Sequence, residues 1–169
     1  MMGTIKSSLL HDDRWFMRQA LLQAQKAIVS GEVPVGAVVT NREGLVIARA
    51  YNQTSKRKSP LGHAEILAIT KAARKQHDWR LDGYTLYVTL EPCALCMQLI
   101  LMSRISRLVY GAHSPIYGFS LDKYCTFDLY KKPLAITSEV EAGSARQYLR
   151  QFFKQKRSSC HDAQKTKKS

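Results

Sequence analysis

The sequence predicts an α/β fold in which one sheet is covered on both faces by helices. Through the middle of the chain, β-rich runs alternate with runs of helical period, the pattern of a layered α/β domain. Amphipathic helical stretches lie near both ends and can supply the covering layers. At 169 residues the chain fits one domain, long enough to bury roughly two-thirds of the surface its unfolded form would expose.

From Asp12 to Ser30 the residues Phe16, Ala20, Leu21, Ala24, Ala27 and Ile28 recur at helical spacing, with Asp12 or Asp13 as cap and Gly31 as stop. Val35 to Thr40 and Leu45 to Tyr51 are β-rich and flank NREG, whose Asn and Gly suit a tight turn, so they pair as a hairpin. NQTSKRKSPLG is polar, basic and broken by Pro and Gly, hence a loop. His63 to about Gln76 is a second helix, with Ile66, Leu67, Ile69 and Ala73 as its apolar surface. Tyr84 to Leu90 is a third strand, and Pro92 opens a third helix where a missing N–H costs nothing. Arg107 to Ala112 and Leu134 to Glu139 complete five strands. Between these two lie a flexible loop, HSPIYGFS, and a short helix over Leu121 to Lys131. Ser144 to Lys156 is a final amphipathic helix with Leu149, Phe152 and Phe153. Beyond Arg157 the chain is basic and poor in apolar residues. The expected organisation is therefore one domain over 1–157 and a disordered tail over 158–169.

Twenty-six Lys and Arg against 13 Asp and Glu give +13, a charge that favours phosphate-rich partners over small neutral metabolites. Three clusters contribute: Lys56-Arg57-Lys58, Lys71 with Arg74 and Lys75, and the residues from Arg146 onward. The opening residues lack an apolar stretch of signal-peptide length, and no run spans a bilayer; a soluble, cytoplasmic protein without membrane partners is expected. There thiols stay reduced, so Cys93, Cys96, Cys125 and Cys160 point to metal binding or catalysis before disulfides.

Cys93 and Cys96 lie three apart at a helix start, which puts both sulfurs on one side, near the positive end of the helix dipole, where thiolate is favoured. Two thiolates are half of a zinc site. His63, opening another helix of the same sheet, is the candidate third ligand. Three protein ligands leave a fourth position for water, the mark of a catalytic zinc, whose bound water has a pKa of about 7. Glu65, too near His63 in sequence to ligate comfortably, is placed to move that water's protons.

His63-Ala64-Glu65 followed by Pro92-Cys93-Ala94-Leu95-Cys96 is similar to the H-x-E…P-C-x-x-C signature of the zinc-dependent nucleoside and nucleobase deaminases. Within them, EVPVGAVV, HAEILA, DGYTLYVTLEPCALC, SRISRLVYGA and FFKQKR, from about Trp15 to Arg157, resemble the bacterial tRNA-specific adenosine deaminases. The resemblance implies a three-layer α/β/α sandwich with a five-stranded mixed sheet of the cytidine-deaminase type, a homodimer, and one Zn2+ per subunit. It also implies conversion of the wobble adenosine of a tRNA anticodon stem-loop to inosine. By position, His63, Cys93 and Cys96 hold zinc, Glu65 shuttles protons and Asn52 contacts the target nucleotide. The chain departs from the family from His113 to Ser120, a loop that borders the substrate in the family.

Two further substrate contacts come from position. His113, just past a strand end, is placed to reach the crevice, and Phe153 is a candidate for lying beside a substrate base, although Phe152, Phe153 and Leu149 also fit a core stripe. Other readings stay open. A deaminase of free guanine, cytosine or cytidine shares every zinc residue but has no need of +13. A non-catalytic RNA-binding module with structural zinc, completed by Cys125, His113 or Cys160, accounts for charge and thiols but not for Glu65.

Overall fold

A computed structural model describes residues 11–121 and 133–165. It forms one mixed sheet of five strands in the order β2-β1-β3-β4-β5. β1 (Gly36–Thr40) pairs antiparallel with β2 (Val46–Tyr51) and with β3 (Thr85–Leu90), while β4 (Arg107–Ala112) runs parallel to β3 and to β5 (Ala135–Thr137). The expected hairpin turn is present: Asn41 accepts from Gly44 N through its carbonyl and from Leu45 N through its side chain, and Gly44 takes the left-handed φ of 76° that the turn requires.

The period-two alternation of the strands sorts the core into two layers. Val38, Tyr87 and Val109 face α1 (Asp13–Val29), meeting Phe16, Met17 and Ala20. Ala37, Val39, Leu86, Val88, Leu108 and Tyr110 face α3 (Ala64–Gln76) and α4 (Ala94–Met102). α5 (Ala142–Lys165) lies beside α1, with Ala145 and Tyr148 packed on Leu21 and Ala112. This is the three-layer α/β/α sandwich that the sequence implies.

Asp12 is the cap of α1, accepting from Trp15 N at 2.9 Å. Asp13 is thereby released to anchor the helix to the sheet. Both its oxygens accept from Arg107 at 2.6 Å, and Tyr87 Oη donates to it at 3.0 Å. These bonds hold the Asp13 carboxyl below its ordinary pKa.

Three differences from the sequence reading have local causes. The expected loop after β2 contains one helical turn, α2 (Thr54–Arg57), too short to show a period. β5 is shorter than Leu134–Glu139, because Glu139 and Glu141 adopt φ of 65° and 53°, which takes the chain out of the strand. α5 begins at Ala142 and continues to Lys165, so residues 158–165, expected in the disordered tail, are helical; after Gly143 no Gly or Pro interrupts the helix. The short helix expected over Leu121 to Lys131, and Cys125 with it, falls outside the described residues apart from Leu121, which closes a 3-10 turn, Phe119–Leu121. Among the described residues, no helix is long and apolar enough to cross a membrane.

Strand register decides where the site lies. Gly36 opposes Tyr51, Ala37 opposes Val88, and Leu90 opposes Ala112. The C-terminal ends of β2, β3 and β4 therefore share one end of the sheet, where the segments leading to His63, to Cys93 and to the 113–120 loop all begin.

Candidate active site

His63 and Cys93 occupy equivalent positions, each the residue before the first turn of a helix, α3 and α4 respectively. Neither side chain caps its own helix, so both are free to ligate, and two helix N-termini with their positive dipole ends converge on them. Cys96, in the first turn of α4, is fully buried. His63 Nδ1 lies 3.2 Å from Cys96 Sγ and 3.6 Å from Cys93 Sγ. Among the described residues these three form the group whose ligand atoms lie within 4.8 Å of one another.

The spacing can be tested against zinc. Zn–N of about 2.0 Å and Zn–S of about 2.3 Å at a tetrahedral angle place the two ligand atoms about 3.5 Å apart. The observed separations bracket that edge, and one His with two Cys is a donor set zinc accepts. The residues fit the ion. Proton placement agrees: a hydrogen bond from Cys96, aided by His63, lowers the Cys93 thiol to about 4 against the opposing effect of burial. The same bond, together with burial, pushes Cys96 up. A cation bound between them takes the place of the proton they share.

Glu65 lies in the first turn of α3 and is 5% exposed. It shares the helix's buried face with Ala68, Ile69 and Ala72, at the i, i+3, i+4 and i+7 positions where the core ordinarily takes an apolar residue. Burial raises its pKa above the ordinary carboxylate value; Cys93 adds to the rise, while its own backbone N–H, His63 and Cys96 work against it. A carboxyl hydrogen-bonded to a metal ligand, with its pKa moved toward neutrality, is suited to accept and return protons.

The remaining sequence candidates separate. Asn52 is buried at the end of β2, its backbone N–H on Val35 O at 2.9 Å. Its side chain accepts from Thr54 Oγ1 at 2.8 Å and donates to Glu32 at 3.4 Å. His113 sits at the same sheet end, its Nδ1 3.1 Å from Glu91 Oε2 and 3.2 Å from Tyr110 Oη, and it is not in the metal group. Phe153 lies on α5, 44% exposed and edge-on to Phe152 at 5.4 Å. Of the two, Phe152 reaches the core, because neighbours on a helix point about 100° apart and cannot share one stripe.

Two buried carboxylates escaped the sequence reading. Glu32, 2% exposed, accepts from Ser55 N at 3.2 Å and Lys56 N at 2.6 Å, and so caps α2. Glu91, 3% exposed, accepts from Ser114 N at 3.0 Å and Ser120 N at 3.1 Å. Burial acts to raise the Glu91 pKa, but bonds from Ser120, Ser114 and His113 outweigh it and hold the carboxyl low. The one local signal was the Glu-Pro pair before Cys93; the donors come from more than 20 residues away.

Residues 10–112 match the family described as the cytidine and deoxycytidylate deaminase zinc-binding region, a span that includes His63, Glu65, Cys93 and Cys96. The chain is 42% identical over 147 residues to the tRNA-specific adenosine deaminase of Haemophilus influenzae, an alignment covering 86% of this chain and 85% of that one. The chain belongs to the tRNA-specific adenosine deaminases of the cytidine and deoxycytidylate deaminase family. A solved structure from work on A-to-I editing by tRNA:A34 deaminases at the wobble position superposes on this deaminase with a TM-score of 0.75. It is 36% identical and covers 80% of this chain and 99% of that one. The guanine deaminase of Bacillus subtilis shares the architecture at a TM-score of 0.61 and 26% identity, covering 83% of this chain and 95% of that one. The zinc cofactor that His63, Cys93 and Cys96 accommodate is thus the family's own.

Proposed function

We propose that this deaminase converts adenosine to inosine at the wobble position of a tRNA anticodon by hydrolysis of the C6 amine. The observation that carries the reading is a buried Glu65, its pKa raised by burial, beside the His63–Cys93–Cys96 cluster, in a chain akin to tRNA-specific adenosine deaminases. Zinc held by those three residues supplies a water acidic enough to act as a nucleophile near neutral pH. Glu65 would take one proton from the attacking water as a C6–O bond forms, and would pass it to the ring nitrogen N1. It then takes the second and delivers it to the departing amine, so that adenosine and water give inosine and ammonia. Asn52, anchored by Glu32 and Thr54, faces the nucleotide from the end of β2, with His113 and Phe153 as the outer contacts. An anticodon loop makes base extrusion inexpensive because the target is already unpaired.

The +13 charge supports RNA over a free base. Lys56, Arg57 and Lys58 lie exposed on and just after α2, next to Asn52, and the basic segment 158–169 extends the catalytic domain of 1–157 with more positive charge. Half-exposed Leu95 and Met102, seven apart on α4, form an apolar stripe that supports a homodimer built there. A site that uses two unoxidised thiols fits a reducing compartment, which supports the cytoplasm. The test is inosine formation by the zinc-loaded protein from an anticodon stem-loop with adenosine at the wobble position, beside free adenosine, guanine and cytidine. Inosine from the stem-loop alone is expected; turnover of free guanine instead would place the chain with the guanine deaminases it resembles in fold.

A further inference from the structure

Glu91 has no place in the proton path, yet it is enclosed beside the metal cluster, its side chain 1% exposed. Its oxygens bind the two ends of one loop. Oε2 accepts from Ser114 N and meets His113 Nδ1, and Oε1 accepts from Ser120 N. The next residue repeats the connection, Pro92 O accepting from Phe119 N at 2.9 Å. Phe119 is buried against Tyr110, which fixes the loop from below. The fit leaves no slack, since a Cβ on Gly118 would stand 2.5 Å from the carboxylate carbon. Glu91 and Pro92 lead directly into ligand Cys93, so the loop is coupled by hydrogen bonds to the turn that positions the metal.

What the loop presents outward is apolar. Ile116 and Tyr117 are 71% and 75% exposed, on a segment anchored at both ends. An aromatic ring on a loop whose backbone is anchored beside a site that takes one extruded nucleotide is placed to meet the base next to it, and stacking on such a ring needs no sequence preference. We infer that Glu91 is a positioning residue that holds the 113–120 loop so that Tyr117 stacks on an unpaired base flanking the target adenosine. The inference rests on the proposed RNA substrate and names how this chain grips it.

The experiment compares steady-state kinetics of wild type, Tyr117→Ala, Tyr117→Phe, Glu91→Ala, Glu91→Gln and Gly118→Ala on the anticodon stem-loop, with zinc content measured for each. Tyr117→Ala should raise KM roughly five- to hundredfold, the range of a lost base stack, with a smaller change in kcat, and Tyr117→Phe should restore it. Glu91→Ala should raise KM with full zinc content, and combined with Tyr117→Ala should add little, because both remove one contact. Glu91→Gln keeps one acceptor and should fall between, and Gly118→Ala, which leaves Glu91 in place but crowds it, should raise KM if the alanine variant does not fold. A Tyr117→Ala KM equal to wild type would overturn the inference alone, as would zinc loss or a kcat defect without a KM change in the Glu91 and Gly118 variants. Absence of inosine with wild type would overturn the proposed function, and this inference with it.

Discussion

Glu65→Gln separates proton transfer from every other role of the side chain. Glutamine has nearly the same shape and keeps an oxygen acceptor, so packing against the core face of α3 is preserved. The wild-type carboxyl is buried and its charged form is disfavoured, so a neutral amide removes a desolvation cost and no loss of stability is expected. Activity should behave oppositely. General acid–base catalysis is worth roughly 10²–10⁴ in rate, about 3–5 kcal/mol of barrier, and Glu65 serves both transfers of the cycle, so the loss should reach the upper part of that range. The assay is single-turnover inosine formation with saturating enzyme, so that substrate affinity drops out, alongside zinc stoichiometry and a thermal melt. A variant with full zinc, an unchanged or higher Tm and a rate within tenfold of wild type would refute the assignment of Glu65 as proton carrier. A variant that loses zinc would instead show that Glu65 supports the metal ligands.

Cys96→Ser should purify with substoichiometric zinc by elemental analysis, since it replaces one of the two thiolate donors with a hydroxyl; full occupancy would contradict the ligand set. Asp13→Asn should lower stability at about pH 7 by about 1 kcal/mol, or about 2–4 °C in Tm, a modest figure because the pair is nearly one-third exposed. The sign follows from the lowered Asp13 pKa: the stabilisation is present above the ordinary 3.8 and lost as pH falls through the folded value. Denaturation curves of wild type and variant should therefore converge in acid, and a constant gap would exclude the ion pair as its source. Replacing Lys56, Arg57 and Lys58 together by Gln should flatten the slope of log K against log[salt] for the stem-loop by about 2, at about 0.7 per single-strand phosphate contact. An unchanged slope would place the RNA backbone elsewhere.

The metal site was legible because its information is local. Pro92 lies just before Cys93, the cap of α4, rather than at its first helical position; Cys93 and Cys96 are three apart, and His63 caps the helix that carries Glu65, so spacing pointed to the three ligands that the structure brings together. What escaped depends on partners distant in sequence. α2 exists because Glu32 caps it from more than 20 residues away, and four residues cannot announce a period of 3.6. Phe152 and Phe153 are indistinguishable as letters; the docking of α5 beside α1 decides which one is buried. The end of β5 is set by left-handed Glu139 and Glu141, residue types with no preference for that conformation.

The same consideration explains how three glutamates at one end of the sheet come to differ in role. Glu91 receives two backbone N–H bonds and a histidine, so its charge is compensated and its carboxyl is held low; it is fixed, and can only position. Glu32 receives two backbone N–H bonds and an amide, and likewise holds a structure in place. Glu65 is as deeply buried but shares a face with alanines and an isoleucine, so burial dominates its pKa and moves it upward. A buried carboxylate with a full set of donors cannot give or take a proton at neutral pH without breaking them, whereas one whose burial is under-compensated changes charge readily. The case for Glu65 as proton carrier therefore rests on burial outweighing the donors it does have, a balance set by the packing of α3 against the sheet.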